Sequence, residues 1–145
     1  GATEAFSSVG EAMNAIGEAT GWGMCQKVIV TVGEVFGSDV DTWLSITAKN
    51  GTCVLTGMGN MTDDKVTLNL SMLTLLQKNL QGSIFGGGNP KIDIPNLLSM
   101  YKMGKLNIED MITRQYTLDQ INDGYRDMLE GRNIRGVIRY TDADR

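Results

Sequence analysis

Short β-rich runs alternate with helical stretches along this chain of 145 residues. Residues 25–32 read CQKVIVTV, and the Val-Ile-Val triplet at residues 28–30 is typical of a parallel strand that is buried on both faces. Helical stretches of roughly ten to fifteen residues separate such runs. The alternation predicts an α/β fold with a mostly parallel sheet and flanking helices. The length suits one compact domain better than two complete ones.

Charge and hydropathy exclude several classes of protein. Thirteen basic residues against seventeen acidic ones give a net charge of -4, which offers no electrostatic footprint for a nucleic-acid backbone. The longest nearly uncharged stretch, residues 66–76, is far shorter than the roughly 20 apolar residues of a membrane helix, and no export signal is evident. We therefore expect no nucleic-acid or membrane partner and a cytoplasmic location.

The chain has no histidine. This removes Ser-His-Asp and Cys-His nucleophiles, the commonest general base near neutral pH and the commonest zinc ligand. Cys25 and Cys53 stand too far apart in sequence for a closely spaced metal motif, so we expect both to be reduced packing residues. No acidic residue falls in a spacing that marks a known mechanism. The sequence therefore predicts no catalytic residue and no metal ligand of its own.

Capping signals mark the helices. Ser8 and Glu11 have the spacing of a capping box, and Gly21 is expected to end the helix that they open. Thr117 and Gln120 form a second box before an apolar stripe at residues 118, 121, 125, 128 and 129, which Gly131 ends. Two more helices are expected from caps at Ser38 and Ser71, and a fifth has an apolar face and ends at Gly104. The other predicted strands are residues 2–6, 52–58 (after a left-handed Asn50-Gly51 exit), 66–70, 79–85 and 137–140.

Three predicted strand ends carry glycine, at Gly33, at Gly57 and Gly59, and at residues 86–88. Ligands of parallel sheets bind where strands turn into helices, and glycine there lets a ligand approach the backbone. Each glycine is equally explained by a tight turn. The dinucleotide fingerprint G-x-G-x-x-G is absent, so the residues by themselves predict binding positions without a ligand.

Several segments in order carry a family resemblance: GATEAF, VIVTVG, VLTGMGN, LQGSIFGGGNPKIDIPNLL and ITRQYTLDQINDGYRDMLEGRNIRGVI. Across about residues 1–140 the chain resembles the carboxyl-terminal part of zinc-containing alcohol dehydrogenases of the medium-chain dehydrogenase/reductase superfamily. Among them it is most similar to the actinobacterial members that hold their nicotinamide cofactor tightly, the nicotinoprotein-like subgroup.

The resemblance implies a truncated Rossmann-like sheet. Residues 1–85 correspond to a coenzyme-binding domain without its first two strands, and residues 86–145 to the closing segment of the catalytic domain. Residues 2–6 resemble the third strand, which neighbours the two absent ones, so this segment should have no partner in the chain. The glycine fingerprint, the acidic residue for the adenosine ribose and the zinc ligands all belong to absent parts.

The resemblance also implies roles for cofactor-binding residues. Val32 and Gly33 resemble positions on the adenosine side, although Glu34 stands where many members carry a basic residue. Arg135 resembles the arginine that pairs with the cofactor pyrophosphate, whereas without the resemblance it would be taken as a solvated charge. The remaining positions lie near the nicotinamide, as backbone that bonds its carboxamide or as residues beside its ring: Thr56, Gly57, Met58, Ser83, Ile84 and Phe85.

The expected function is that of an oxidoreductase fragment. The complete enzyme would interconvert small alcohols and aldehydes or ketones by zinc-assisted hydride transfer to or from NAD or NADP, and this chain alone would be inactive and bind no cofactor tightly. The strand at residues 79–85 would pair with its mate in a homodimer. One alternative is a stand-alone α/β dimerisation or regulatory module without redox activity. Another is a nucleotide-binding domain that uses only Arg135 and the strand-end glycines.

Overall fold

Three parallel strands form the centre of the amino-terminal part in the computed structural model, in the order β1 (Cys25–Val30), β3 (Thr47–Leu55) and β5 (Asn79–Gly82). The structure describes residues 2–62 and 65–141. They divide into two units between Gly88 and Asn89. The α/β class with parallel strands agrees with the sequence pattern. The assignment of residues 1–85 and 86–145 to two enzyme domains stays a prediction.

The three strands end in one row. Val30 pairs with Leu55, and Leu55 pairs with Gly82. Each strand ends two or three residues earlier than predicted, because the residues after Val30, Leu55 and Gly82 leave the three-stranded sheet. Beyond the sheet, Glu34–Val35 (β2) and Met58–Gly59 (β4) form a separate two-stranded parallel ladder.

The first helix, α1 (Val9–Thr20), has the predicted ends. The Ser8 side chain accepts from the Glu11 N–H at 3.2 Å, and Gly21 ends the helix at φ 59. The Glu11 carboxylate accepts from the N–H and hydroxyl of Ser7 rather than from Ser8. The reciprocal half of the capping box is therefore shifted by one residue, and those bonds hold the pKa of Glu11 below its usual value.

The second helix, α2 (Val40–Ser45), is shorter than expected and follows a 3-10 turn. The cap predicted at Ser38 is wrong, because its hydroxyl bonds the neighbouring Asp39 carboxylate inside that turn. The predicted helix exit at Asn50-Gly51 is wrong because α2 ends at Ser45, although Asn50 itself is left-handed, with φ 57. It lies inside β3, where the register with β1 shifts, so the strand begins before the turn rather than after it.

The third helix, α3 (Leu70–Leu75), begins at Asn69, whose side chain accepts from the Met72 N–H at 3.0 Å. The predicted Ser71 cap is therefore wrong. The predicted strand at residues 66–70 is also wrong, because residues 66–69 form a loop that the Asn69 N–H ties to the Asp41 carboxylate at 2.9 Å, and Leu70 begins the helix.

Residues 2–6 are exposed and form no strand, so the predicted strand there is wrong. The ladders among the described residues do not include them.

One face of the three-stranded sheet carries the core. Val30, Val40, Leu44 and Cys53 form a buried cluster, and helix α2 adds the partly buried Trp43. Burial of each large apolar side chain stabilises the fold by about 1.5–3 kcal/mol. Ile29 points to the other face and is 66% exposed, so the prediction that this strand is buried on both faces is wrong here. Helices α2 and α3 supply core side chains to the first face only.

The second unit begins with α4 (Pro90–Lys102), which Asn89 caps, and Gly104 follows its end at φ 68, as predicted. A strand that the sequence reading missed, β6 (Ile112–Tyr116), pairs in parallel with β7 (Arg135–Ile138). Between them lies α5 (Ile121–Leu129).

The ends of α5 agree with the sequence reading. The capping box of Thr117 and Gln120 is formed, and Gly131 follows the helix at φ 67. The predicted apolar stripe is largely exposed, whereas Asp127 beside it is buried. Tyr140 lies beyond the terminal strand. Within the described part of the chain, no helix has the length and apolar character needed to cross a bilayer.

Candidate functional site

The aligned strand ends bring eight of the nine predicted site residues to one edge of the sheet. We define this carboxyl edge as residues 31–33, 56–58 and 83–85, which directly follow the row of paired residues at the ends of β1, β3 and β5. In an open parallel sheet this is the position where ligands bind. The ninth predicted residue, Arg135, lies in the second unit.

Hydrogen bonds inside the sheet determine which backbone groups of the carboxyl edge remain available to a ligand. The N–H and hydroxyl of Thr56 both donate to the Val30 carbonyl, at 3.0 and 2.9 Å. The Ser83 N–H donates to the Leu55 carbonyl at 2.9 Å. Because these N–H groups are used inside the sheet, Thr56 and Ser83 can offer a ligand their carbonyl oxygens, which accept hydrogen bonds from a primary amide.

Gly57 is explained by packing within the chain. A Cβ atom at this position would lie 2.3 Å from the Val32 carbonyl oxygen, a backbone atom that cannot rotate away. Gly59 is also tight, with a Cβ position 3.0 Å from the Val35 oxygen. At these two glycines the close approach of two chain segments is sufficient explanation, and no ligand needs to be invoked.

Gly33 differs from Gly57 in its surroundings. A Cβ atom there would have no neighbour within 4 Å, and its backbone is not in the left-handed region. Neither turn geometry nor packing inside the described chain requires glycine at this position. Gly33 therefore leaves open space at the carboxyl edge that a ligand can approach.

The apolar residues of the carboxyl edge face outward. Met58 and Ile84 are each 70% exposed and Phe85 is 92% exposed. Phe85 also has φ 48, in the left-handed region, which costs a non-glycine residue roughly 1–3 kcal/mol and occurs most often at functional sites. Val32, which is 42% exposed, adds to the apolar side chains that the carboxyl edge presents to solvent.

Arg135 lies in the second unit, as the first residue of β7. It borders a cavity of about 230 Å³ whose other walls include Tyr125, Met128 and Ile134. The ion pairs found among the described residues use Arg114, Arg126 and Arg132 as cations, and none uses Arg135. The exposed guanidinium of Arg135 is thus available to an anion.

A charged cluster around Asp127 was not predicted from the sequence. Its carboxylate accepts from the Tyr116 hydroxyl at 2.8 Å, from Arg114 at 3.1 Å and from Arg132 at 2.9 Å. The Tyr116 hydroxyl first, and then the two guanidinium groups, hold the pKa of Asp127 below its usual value. The available signal was an aspartate inside the helical stripe with an arginine five residues later.

The two cysteines and Lys78 of the first unit have structural roles. Cys53 is fully buried, and burial raises the pKa of its thiol, while Cys25 is half-buried; both are free thiols. Lys78 donates to the Leu44 carbonyl at 2.6 Å, and partial burial lowers its pKa against the attraction of Asp41. Among the described residues, no three His, Cys, Asp or Glu side chains are grouped as a metal would require.

Comparison with known proteins gives a consistent result. A family model described as zinc-binding dehydrogenase matches residues 1–102. The chain is 65% identical over 145 residues to alcohol dehydrogenase B of Mycobacterium tuberculosis, covering 100% of this chain and 39% of that protein. It is 40% identical over 144 residues to the NDMA-dependent alcohol dehydrogenase of Amycolatopsis methanolica, covering 97% of this chain and 38% of that protein. The chain thus spans less than half the length of these curated relatives.

Solved structures support the fold. The alcohol dehydrogenase zinc-binding domain protein of Burkholderia ambifaria superimposes with a TM-score of 0.85 at 23% identity, over 97% of this chain and 37% of that one. Benzyl alcohol dehydrogenase of Acinetobacter calcoaceticus gives a TM-score of 0.80 at 22% identity, over 90% of this chain and 35% of that one.

Proposed function

Since this chain belongs to the zinc-binding dehydrogenase family, we propose that it is the carboxyl-terminal part of an NAD(P)-dependent alcohol dehydrogenase. The complete enzyme would interconvert small alcohols and aldehydes or ketones. The observation that carries the proposal is the common row in which β1, β3 and β5 end, because it gathers the predicted nicotinamide positions at one edge.

We assign the nicotinamide end of the cofactor to the carboxyl edge. The carbonyl oxygens of Thr56 and Ser83 would accept from the carboxamide, with the backbone of Phe85 beside them. Met58 and Ile84 would pack against the ring and keep water from it. Gly57 would serve by letting its strand end approach the neighbouring one closely.

Val32 and Gly33 are assigned to the adenosine side, where the open space at Gly33 supports the assignment. Arg135 of the second unit is assigned to the pyrophosphate, because a planar guanidinium without a carboxylate partner suits a phosphate fork. When bound, the nicotinamide supplies the position that accepts or donates hydride. The part of this chain is to bind and orient that ring.

The residues of this chain do not fit a catalytic zinc. The sequence has no histidine and two cysteines, and the described residues contain no metal-binding group of side chains. Catalytic zinc requires three protein ligands, usually histidine, cysteine or glutamate. We therefore propose that any zinc of the complete enzyme is held by residues outside this chain.

Activity assays test the proposal in two parts. The purified 145-residue chain, given a primary alcohol and NAD, is expected to show no turnover, and measurable turnover would overturn the zinc assignment. In the full-length enzyme freed of bound cofactor, Gly33→Val is expected to raise the cofactor KM because the added side chain fills the open space, while the unfolding midpoint stays unchanged. An unaltered KM would remove Gly33 from the site.

We propose further that the protein is a cytoplasmic homodimer. The two free cysteines agree with a reducing compartment. Among the described strands, β5 pairs only with β3, so its other edge is open to a second copy. The unpaired edge and the exposed side of Leu80 favour pairing through this strand.

Proline at Gly82 tests the dimer. The Ser83 N–H points to β3, so the Gly82 N–H points to the open edge, because successive residues of a strand alternate. A Cβ atom at Gly82 would meet nothing within 4 Å. Gly82→Pro is expected to give a monomer in light scattering and Gly82→Ala a dimer. A wild-type monomer at high concentration, or a dimeric proline variant, would contradict the proposed interface.

A further inference from the structure

The cluster around Asp127 binds the elements of the second unit together. Asp127 is 9% exposed, and its carboxylate joins α5 to Arg114 and Tyr116 of β6 and to Arg132 of the following loop. A buried carboxylate is costly unless it is paired and hydrogen-bonded. Here three side chains satisfy it, so the position of α5 relative to β6 and to the loop is well determined.

Tyr116 extends the cluster to the residues that precede Arg135. Its hydroxyl donates to Asp127 and accepts from the Asn133 side-chain amide at 3.0 Å. The next residue, Ile134, donates its N–H to the Thr113 hydroxyl at 2.9 Å. Two consecutive residues before Arg135 are thus fixed to side chains of β6.

The residue that follows Arg135 is held by the same tyrosine. A Cβ atom at Gly136 would lie 2.9 Å from Cε2 of Tyr116, which shows that the ring lies directly against this glycine. Arg135 is therefore flanked on both sides by residues that Tyr116 fixes. Its backbone has little freedom, whereas its guanidinium is exposed.

Some arginines near Asp127 have carboxylate partners, whereas Arg135 has none among the described residues. Asp127 pairs with both Arg114 and Arg132, and Glu130 also pairs with Arg132. In the described part of the chain, Arg135 enters none of these ion pairs. The arrangement keeps the guanidinium groups of Arg114 and Arg132 occupied and leaves that of Arg135 for an external anion.

We propose that Asp127 and Tyr116 are positioning residues that hold Arg135 ready for the pyrophosphate of the cofactor. This inference rests on the proposed function, in which Arg135 binds that group. Asp127 anchors the tyrosine hydroxyl, and Tyr116 fixes the backbone on both sides of the arginine. Neither residue touches the cofactor.

The test uses Asp127→Asn and Tyr116→Phe in the full-length enzyme, which is first freed of bound cofactor so that the rate depends on the cofactor added. Tyr116→Phe removes the hydroxyl and keeps the ring, so it preserves the packing on Gly136 if Asp127→Asn folds poorly. Each is expected to raise the cofactor KM by roughly two- to tenfold with kcat unchanged, a size typical of coupling inside one hydrogen-bond network. Asp123→Asn is the matched control, because Asp123 pairs with Arg126 on the exposed side of the same helix and should leave KM unchanged.

Arg135→Gln separates the two proposals. If Arg135→Gln leaves the cofactor KM unchanged, the assignment of Arg135 fails, and the positioning role falls with it. If Arg135→Gln raises KM but Asp127→Asn and Tyr116→Phe match Asp123→Asn, the positioning role alone is overturned. In the double variants, neither substitution should raise KM further once Arg135 is gone, and a further rise would show that the residues act by another route.

Discussion

Replacement of Gly57 by alanine tests the close approach of two strand ends at the carboxyl edge. The new Cβ atom would lie 2.3 Å from the Val32 oxygen, well inside the 3.4 Å at which ordinary contact begins. Both atoms are attached to backbone, so only a shift of one strand end can relieve the contact. Overpacking of this kind costs about 1–3 kcal/mol of unfolding free energy.

Gly33→Ala is the matched control, because it adds the same methyl group where a Cβ atom meets nothing within 4 Å. It is expected to be neutral or to stabilise the protein by about 0.4–1 kcal/mol through the unfolded chain. Urea unfolding measures both variants. The fluorescence of Trp22 and Trp43, the two tryptophans of the chain, reports on the first unit alone.

With a urea dependence of about 1–3 kcal/mol per molar, Gly57→Ala should lower the unfolding midpoint by about 1 M. Gly33→Ala should leave the midpoint unchanged or raise it slightly. Equal midpoints for the two variants would refute the packing explanation of Gly57. The two strand-end glycines would then have to be explained in the same way.

Three further predictions concern other parts of the chain. A thiol reagent at pH 8 should modify Cys25 in the folded protein and reach Cys53 only on unfolding, because burial raises the pKa of the Cys53 thiol and closes access to it. Labelling followed by mass spectrometry measures which cysteine reacts first, and early labelling of Cys53 would be contrary to the structure. The pKa of Asp127 is lowered on folding, so its cluster stabilises the protein at pH values above the ordinary carboxyl pKa of 3.8, and this stability is lost as pH falls through the folded pKa. Thermal melts from pH 7 to 3, followed by tyrosine fluorescence, should show an acid-induced loss of stability that Asp127→Asn lacks. Identical pH profiles for the two proteins would count against the cluster. Ser8→Ala should cost about 1 kcal/mol of unfolding free energy through loss of the helix cap, and a fully retained urea midpoint would disprove that role.

The sequence predicted those elements whose signals are local. The caps at Ser8 and Thr117 and the helix-ending glycines at Gly21 and Gly131 depend on side chains or φ angles within one turn, and all are formed. The parallel class also followed from the apolar pattern. Cofactor roles came from the family resemblance rather than from the residues, since no fingerprint motif is present.

The errors arise where distant contacts override local pattern. The Asn69 N–H reaches the Asp41 carboxylate, 28 residues away, and the segment before α3 is a loop instead of a strand. Ile29 is exposed because helices α2 and α3 bring core side chains to one face of the sheet only. The cluster around Asp127 was not predicted because its partners Arg114 and Tyr116 belong to β6, whose charged and polar residues do not show the apolar pattern of a strand.

The most direct measurement is a titration of the 145-residue chain with NADH at millimolar concentration, followed by backbone amide NMR. The account predicts weak binding with the largest shifts at the carboxyl edge, at Gly33, Met58 and Phe85, and at Arg135 in the second unit. Lys78 and Asp41, whose side chains border a cavity of about 420 Å³ together with Trp22, should be unaffected. Shifts centred on that cavity, or none at all, would contradict the assignment of the cofactor to the carboxyl edge.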